Sequence, residues 1–544
     1  MERRVADTIE AEYVVVGAGS AGCVIASRLA EQQHTVVLIE AGGSDQRRLV
    51  RRPGLTAPMH TVPSIQRTLD WGYKTTPQVH ALDRMIPQYR GRIMGGSSSV
   101  NGMLWVRGNR ANYDEWAALG NNGWDADTVN DLFRRIEDFE DGPDDYRGAG
   151  GPVGVTRSTT PTEASLQFIE QTSAVLGVPV LADYNGAEQE GASRFQVNVA
   201  NGVRQSSSHA YLSGRELPTL TILKRRQAAK IVISNGRAVG VETFDKRGRR
   251  LQVRASREVI VSAGVFGSPQ LLMLSGIGPQ QHRAEHGIRA VADLPVGQNL
   301  HDHMFVPVTA HADVPGKGIP GFFAAAVVRD LLGRETFLRT SMFEAVAFVR
   351  SSLATSLPDI QLHVLPWSYP SPNSDSFDVY RDPVPSITVH STLIYPKSRG
   401  SLRLACADPR QSPLIDFNYL QHPDDAEVLA QGIERVREVM ASQGMRRLVR
   451  PELHPGRTLT GDALRDEMRL RATTVFHGVG TCRMGVDERC VVDPELRVRG
   501  VEGLRVADAS VMPTITGGNT NAPSVMIGEK AAALLVASAS GSAA

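Results

Sequence analysis

Three glycines near the start of the chain have the spacing of a turn that binds phosphate groups. Gly17, Gly19 and Gly22 form a GxGxxG pattern. In such a turn one glycine permits the bend, one lets the backbone approach a pyrophosphate, and one allows the helix and strand to pack closely. Glu40 lies eighteen residues after Gly22, where its carboxylate can accept hydrogen bonds from a ribose diol. The pattern predicts a dinucleotide site without separating FAD from NAD, and the charge of Glu40 argues against a 2′-phosphate.

The segments around this turn have the order of a dinucleotide-binding unit. The run YVVV at 13–16 predicts a buried strand, CVIASRLAEQ predicts a helix, and TVVLIE at 35–40 predicts a second buried strand. REVIVSAG near residue 260 and GLRVADAS near residue 506 also have the pattern of buried strands. They could complete one parallel sheet with the first unit.

The region from 304 to 458 has a different pattern. It contains aromatic and alternating stretches, SITVHSTLIY and DIQLHVLPW, which are typical of an antiparallel sheet. We therefore predict an α/β fold in which a discontinuous Rossmann-like domain carries an inserted α+β substrate domain built on an antiparallel sheet. The predicted ranges are 1–158, 203–303 and 459–544 for the nucleotide domain, and 159–202 and 304–458 for the substrate domain.

Composition restricts the partners and the compartment. Lys plus Arg total 59 against 58 for Asp plus Glu, so no overall field attracts nucleic acid or an anionic membrane. The doublets Arg47–Arg48 and Arg51–Arg52 are expected to form solvated surface. The 4 cysteines match neither a disulfide framework nor a zinc pattern, and no run of 18 or more apolar residues occurs. We expect a cytoplasmic protein with no nucleic-acid or membrane partner, and the sequence gives no oligomeric state.

Four separated blocks carry a resemblance that runs through nearly the whole chain. The blocks are the glycine turn with EAGG at 40–43, GRIMGGSSSVNG at 91–102, GSPQLLMLSGIG at 267–278, and HGVGTCRMG at 477–485 followed by VADAS at 506–510 and NTNAP at 519–523. Together they resemble the glucose-methanol-choline (GMC) oxidoreductases. Met94 and Val265 depart from the usual residues only in volume, which an apolar core can absorb.

The resemblance implies FAD as the cofactor of the discontinuous domain. The residues implied to hold it are Gly17, Gly19, Ser20, Ala21, Gly22, Glu40, Ala41, Arg92, Gly95, Gly96, Ser97, Asn101, Gly102, Met103, Leu104, Ala228, Ala263, Gly264, Asp508, Ala509, Asn519 and Thr520. Some family members attach the flavin through a histidine immediately before the asparagine of the second block. Val100 stands at that position here, so the FAD is expected to be non-covalent.

The resemblance also implies a catalytic pair. By residue type alone, a histidine beside a glycine-rich turn is more often structural. The family position of His477 implies that it takes the hydroxyl proton of an alcohol while a hydride passes to the flavin, which suits a base of near-neutral pKa. Asn519 stands where the family has a second His or Asn and would orient the substrate oxygen.

The resemblance implies an alcohol substrate, whose electrons would pass to O2 or another acceptor. Two further positions indicate which kind of alcohol it is. Choline-oxidising relatives have a glutamate two residues after the histidine of an NLxDH segment, and this chain has Phe305 there. An uncharged primary alcohol, apolar or aromatic, is therefore expected, with Trp367 as a second pocket residue. The segment 301–303 is not expected to bind metal, because no further ligand cluster accompanies it. A hydroxynitrile lyase that binds FAD without redox turnover stays open as the alternative.

Overall fold

Two seven-stranded sheets organise the computed structural model, which describes residues 8–313, 320–369 and 384–541. The strands are β1 (Thr8–Val16), β2 (Val36–Glu40), β3 (Tyr73–Lys74), β4 (Pro87–Gln88), β5 (Glu137–Phe139), β6 (Val153–Arg157), β7 (Gly191–Arg194), β8 (Gln196–Val197), β9 (Val199–Ala200), β10 (Val203–Arg204), β11 (Leu220–Lys224), β12 (Gln227–Ser234), β13 (Arg237–Phe244), β14 (Arg250–Val261), β15 (Met304–Ala312), β16 (Ala345–Val349), β17 (Ile360–Leu365), β18 (Ser386–Leu393), β19 (Ser401–Arg403), β20 (Leu414–Asp416), β21 (Val449–His454), β22 (Thr473–Thr474) and β23 (Leu504–Val506).

Helices cover both sheets and connect their strands. They are α1 (Gly22–Glu31), α2 (Arg48–Arg51), α3 (Thr56–Thr61), α4 (Pro63–Leu69), α5 (Arg110–Ala118), α6 (Ala126–Ile136), α7 (Glu163–Leu176), α8 (Ser207–Tyr211), α9 (Gly264–Leu274), α10 (Gln280–Glu285), α11 (Pro320–Leu331), α12 (Pro423–Met440), α13 (Gln443–Arg446), α14 (Gly461–Arg471) and α15 (Asn521–Gly541).

The first sheet joins distant parts of the chain in parallel. Its order is β11-β2-β1-β14, and β1 pairs in parallel with both β2 and β14. The end of β14 pairs in parallel with β23, while its beginning pairs antiparallel with β13. The predicted strands near residues 260 and 506 are thereby confirmed. The paired residues at the end of β14 and in β23 are buried on both faces, as a covered parallel sheet requires, although β23 includes Arg505.

The second sheet is antiparallel and has the order β21-β15-β18-β17-β16-β7. The stretches DIQLHVLPW and SITVHSTLIY supply β17 and β18, which confirms the predicted antiparallel pairing. β22 also pairs with β15, although it lies beyond the boundary predicted at residue 458. The chain therefore enters the block that begins at His477 directly from the second sheet.

The last helix, α15, packs against α1 in the interior. Gly528 lies so close to α1 that an added Cβ would meet the Ala21 carbonyl oxygen at 2.8 Å, and Arg28 and Glu529 form an ion pair of 2.9 Å. By length and composition alone α15 could cross a membrane, which the sequence analysis did not foresee. The apolar window, however, is 56% buried inside the protein, which is typical of a core helix.

Candidate active site

The glycine turn after β1 is shaped by backbone contacts. Gly17 has φ +100°, and a Cβ there would meet the Ser262 carbonyl oxygen at 2.3 Å. A Cβ on Gly22 would meet the Gly17 carbonyl oxygen at 1.9 Å, so α1 and the turn pack closely as the sequence predicts. The first turn of α1 has no side-chain cap. Its free N–H groups are therefore available to an anionic ligand.

Glu40 ends β2 beside this turn and is buried. One carboxylate oxygen accepts a hydrogen bond of 3.0 Å from the Ala18 N–H, and the other accepts one of 2.6 Å from the Gly42 N–H. Burial raises the pKa of Glu40 to about 7, against the lowering effect of those two bonds. Each oxygen retains a lone pair for a donor such as a ribose hydroxyl, whose binding would favour the charged carboxylate.

The loop at 91–102 lies directly on the glycine turn. The Gly95 N–H donates to the Ala18 carbonyl at 2.7 Å, and a Cβ on Gly96 would meet Gly19 Cα at 2.8 Å. The loop ends at Asn101, whose side-chain oxygen accepts from the Met103 N–H at 3.1 Å. Glycine at these positions lets two backbones meet where a dinucleotide must fit.

A buried arginine that no sequence pattern predicts, Arg204, holds this loop in place. The guanidinium donates to the Asn101 carbonyl at 2.6 Å, to the Ser98 carbonyl at 3.3 Å, and to the Val50 carbonyl at 3.0 Å. Burial lowers the pKa of Arg204 to about 9. The three carbonyl acceptors of Arg204 belong to the backbone, and any residue type supplies such a group. Its role therefore has no recognisable pattern in the sequence.

One cavity of about 1510 Å³ connects the glycine turn with His477. That volume exceeds the usual range for a pocket that holds one small molecule, and accommodates a dinucleotide together with a substrate. Among the residues predicted to hold the cofactor, Gly22 and Gly95 do not line the cavity but contact the glycine turn that does. The others line the cavity: Gly17, Gly19, Ser20, Ala21, Glu40, Ala41, Arg92, Gly96, Ser97, Asn101, Gly102, Met103, Leu104, Ala228, Ala263, Gly264, Asp508, Ala509, Asn519 and Thr520.

Asp508 shapes the cavity wall through its own hydrogen bonds. One carboxylate oxygen accepts from the Gly264 N–H at 2.9 Å and from the Ser268 hydroxyl at 2.5 Å. The other oxygen accepts from the Ser510 N–H at 2.8 Å. Asp508 therefore caps the start of α9 from a distant part of the chain, a contact that holds the wall in place.

His477 and Asn519 are brought together as the sequence analysis predicts. His477 Nε2 lies 3.1 Å from Asn519 Nδ2, and Asn519 Oδ1 accepts from the Gln361 side chain at 3.2 Å. An amide nitrogen can only donate, so His477 Nε2 is the acceptor in this pair. Both side chains line the cavity.

His303 explains the tautomer of His477. His303 Nε2 lies 2.9 Å from the Ile394 carbonyl, which can only accept, so Nε2 carries the proton of this neutral ring. His303 Nδ1 is then an acceptor, and it lies 3.0 Å from His477 Nδ1. His477 must therefore carry its proton on Nδ1. The Nε2 of His477, which lies next to Asn519, therefore carries no proton, and it is the atom that can take a proton from a substrate.

Asp302 positions the backbone of His477. Its Oδ1 accepts from the His477 N–H at 2.7 Å, and its Oδ2 accepts from the Tyr419 hydroxyl at 2.6 Å and the Thr474 hydroxyl at 2.5 Å. Burial raises the pKa of Asp302 while these bonds oppose that rise. Thr474 belongs to β22, so the second sheet and His477 both donate to this carboxylate.

The electrostatic setting keeps His477 neutral. Burial lowers its pKa well below 6.5, and the neighbouring His303, His363 and Arg90 lower it further. Burial also lowers the pKa of His303 to about 3. Both rings are therefore uncharged at neutral pH, as a base that awaits a proton must be.

The cavity wall near His477 is aromatic. Its lining residues here are Tyr89, Phe305, Phe343, His363, Trp367, Tyr369, His390 and Phe476. The ring of Phe305 stacks on that of His390 with 4.0 Å between centroids. Both predicted pocket residues, Phe305 and Trp367, thus lie in the cavity wall. His363 and His390 were missed, and only the register of β17 on β18 places them opposite each other.

The parallel sheet, its glycine turn and the neutral imidazole of His477 beside the cavity are the features of a dinucleotide-dependent oxidoreductase with an inserted substrate domain. Two family models described as GMC oxidoreductase match residues 11–305 and 396–528. The chain therefore belongs to the GMC oxidoreductase family. It is an FAD-dependent oxidoreductase that acts on CH–OH groups.

Relatives and solved structures resemble the chain over almost its full length. Oxygen-dependent choline dehydrogenase of Sinorhizobium fredii is 39% identical over 534 residues, covering 96% of this chain and 95% of the relative. Its counterpart from Sinorhizobium medicae is 40% identical over 533 residues with the same coverage. Pyridoxine 4-oxidase from Mesorbium loti has a TM-score of 0.85 at 28% identity, covering 96% and 98% of the two chains. A variant of Aspergillus oryzae formate oxidase has a TM-score of 0.88 at 27% identity, covering 98% and 99%.

Proposed function

We propose that this protein oxidises an uncharged primary alcohol, apolar or aromatic, to an aldehyde, with electrons passing to O2 or another acceptor. The supporting observation is the aromatic wall beside His477, in which Phe305 stacks on His390. Among the described residues, the carboxylates that line the cavity are Glu40, Asp245 and Asp508. None of the three belongs to the aromatic wall near His477: Glu40 bonds the backbone of the glycine turn, Asp245 bonds Arg249, and Asp508 bonds the start of α9.

His477 and Asn519 perform the proton chemistry in this proposal. When substrate binds, its hydroxyl replaces the Asn519 amide as the group hydrogen-bonded to the unprotonated Nε2 of His477, and Nε2 then takes the hydroxyl proton. The Asn519 amide donates a hydrogen bond to the same oxygen and holds it beside Nε2. Bound FAD supplies the acceptor for the hydride that leaves the carbinol carbon. His303 Nδ1 accepts a hydrogen bond from the Nδ1–H of His477, and this bond stabilises the reactive tautomer of the His477 ring.

Anaerobic addition of benzyl alcohol, 1-hexanol, choline and mandelonitrile to the holoprotein tests the proposal. The uncharged alcohols should bleach the flavin faster than choline does, because the aromatic wall stabilises apolar groups. Equal or faster bleaching by choline would contradict the substrate class. Cyanide release from mandelonitrile, without bleaching by any alcohol, would support the lyase instead. Admitting air to the reduced protein then shows whether O2 accepts the electrons.

The FAD is proposed to be held without a covalent bond. Val100 has no nucleophilic atom with which to form such a bond. Acid precipitation of the holoprotein should therefore leave all the yellow colour in the supernatant. Flavin absorbance that stays in the washed pellet would show a covalent link.

Substitution of Phe305→Glu should move the preference toward choline. A carboxylate at this buried position would pair with a quaternary ammonium, and we expect the ratio of kcat/KM for choline over benzyl alcohol to rise at least about tenfold. Phe305→Gln is the matched control, because it has the same size without the charge. If both variants change the ratio equally, charge at residue 305 does not determine specificity.

A further inference from the structure

Helix α11 has apolar side chains on both of its faces. On the inner face, Ala326 is buried with Phe337 and Leu338. On the outer face, Val328 is 58% exposed and Leu331 is 73% exposed. Leu332, immediately after the helix, is 69% exposed. A surface helix normally turns polar side chains to water, so this outer face has the pattern of a helix that packs against a partner.

Exposed arginines lie on this helix and on a segment that is ion-paired to it. Arg329 and Arg334 are exposed on α11 and the turn that follows it, and Arg47 and Arg48 are exposed on the segment 47–52, where Arg47 also lines the cavity. That segment is held against α11 by a 3.4 Å ion pair between Arg52 and Asp330, and Asp330 also pairs with Arg339 at 2.8 Å. The exposed acid nearby is Glu335, which lies 4.0 Å from Arg339. The local charge is therefore positive although the whole chain is nearly neutral.

We propose that α11 and the segment 47–52 dock on an anionic lipid bilayer. Leucine and valine side chains enter the interface between headgroups and acyl chains, while arginines contact the lipid phosphates. A second copy of the chain fits this surface less well. A two-fold contact would place the same patch on itself and bring arginines against arginines.

The docking surface shares its supporting segment with the cavity. Gly54 packs against Leu338, where an added Cβ would meet the Leu338 Cα at 2.5 Å. Gly54, Ala57 and Phe337 all line the cavity. Docking would therefore bring this part of the cavity wall close to the lipid surface, where apolar alcohols concentrate. The expectation of no membrane partner rested on the net charge of the whole chain and on the lack of a long apolar run, and neither quantity describes a local surface patch.

Flotation of the holoprotein with vesicles tests the docking surface independently of the alcohol. The protein should float with vesicles of phosphatidylcholine and phosphatidylglycerol, and remain behind with phosphatidylcholine alone. Leu331→Gln combined with Leu332→Gln should weaken binding at least about tenfold. Arg329→Gln combined with Arg334→Gln should weaken it about tenfold or more at low salt. Val486→Gln, at a comparably exposed position elsewhere, is the control and should bind normally.

Three outcomes would overturn the proposal. The first is no flotation of the wild-type protein with anionic vesicles, and the second is unchanged flotation of the double leucine variant. The third is a wild-type dimer in size-exclusion chromatography that the leucine substitutions convert to a monomer, which would identify a subunit interface. Bound-flavin absorbance and the anaerobic reduction rate should stay normal in the leucine variants, so that lost binding cannot be ascribed to misfolding.

Discussion

Replacing His477 with alanine is expected to slow the anaerobic reduction of the flavin by alcohol by several orders of magnitude. General base catalysis contributes roughly 10²- to 10⁴-fold, and loss of the oriented partner of Asn519 adds a further positioning cost. Nε2 of His477 lies 3.1 Å from Asn519 Nδ2, so the variant loses the imidazole nitrogen at that place. Binding of FAD should persist, because the glycine turn and the loop at 91–102 are untouched.

Stopped-flow absorbance of the holoprotein mixed with benzyl alcohol measures this effect directly. His80→Ala is the control, because His80 is exposed and is not one of the residues that line the cavity. A loss of less than about tenfold in the His477→Ala variant would show that another group takes the proton. The flavin content of each variant, read from its visible spectrum, separates slow chemistry from a missing cofactor.

The sequence predicts the parts of this site that depend on local chain geometry. Gly17 and Gly22 are identifiable because a backbone that turns against Ser262 excludes any side chain. Strands β1 and β14 are identifiable because burial on both faces requires continuous apolar runs. The pairing of His477 with Asn519 followed from the resemblance, and the structure places the two within 3.1 Å.

The parts that sequence reasoning missed depend on pairing between distant segments. β22 is two residues long, which is too short for any periodicity to mark it. The contact between His303 and the Ile394 carbonyl spans 91 residues, and it exists only because β15 pairs with β18. The exposed face of α11 was also missed, since an apolar helix has the same sequence pattern whether its partner is a core or a lipid.

His303 should control how much of His477 is in the reactive tautomer. If His303→Leu removes the acceptor for the His477 Nδ1 proton, the ring is free to rotate or to carry its proton on Nε2. We expect the rate constant of flavin reduction to fall by about 10²-fold, the size of effect that misplacement of a reacting group produces. His303→Asn keeps an acceptor oxygen near the place of Nδ1 and should recover part of the rate.

The pH profile distinguishes this positioning role from a simple change in basicity. The pKa of His477 lies well below 6.5, chiefly because of burial, with His303, His363 and Arg90 adding to the lowering. Protonation therefore removes the base only as the pH falls below 6.5, and the wild-type rate should be constant above it. In His303→Leu the wrong tautomer is neutral too, so raising the pH should not restore the rate.

A pH-dependent recovery would contradict this role for His303. If the rate of His303→Leu returned to the wild-type value in alkali, the substitution would have raised the pKa of His477 without disturbing its tautomer. A rise in KM with an unchanged limiting rate would instead indicate lost substrate binding. The combination that supports tautomer control is a lower limiting rate at every pH, little change in KM, and partial rescue by asparagine, because only the proton on His477 Nδ1 responds to the acceptor at residue 303.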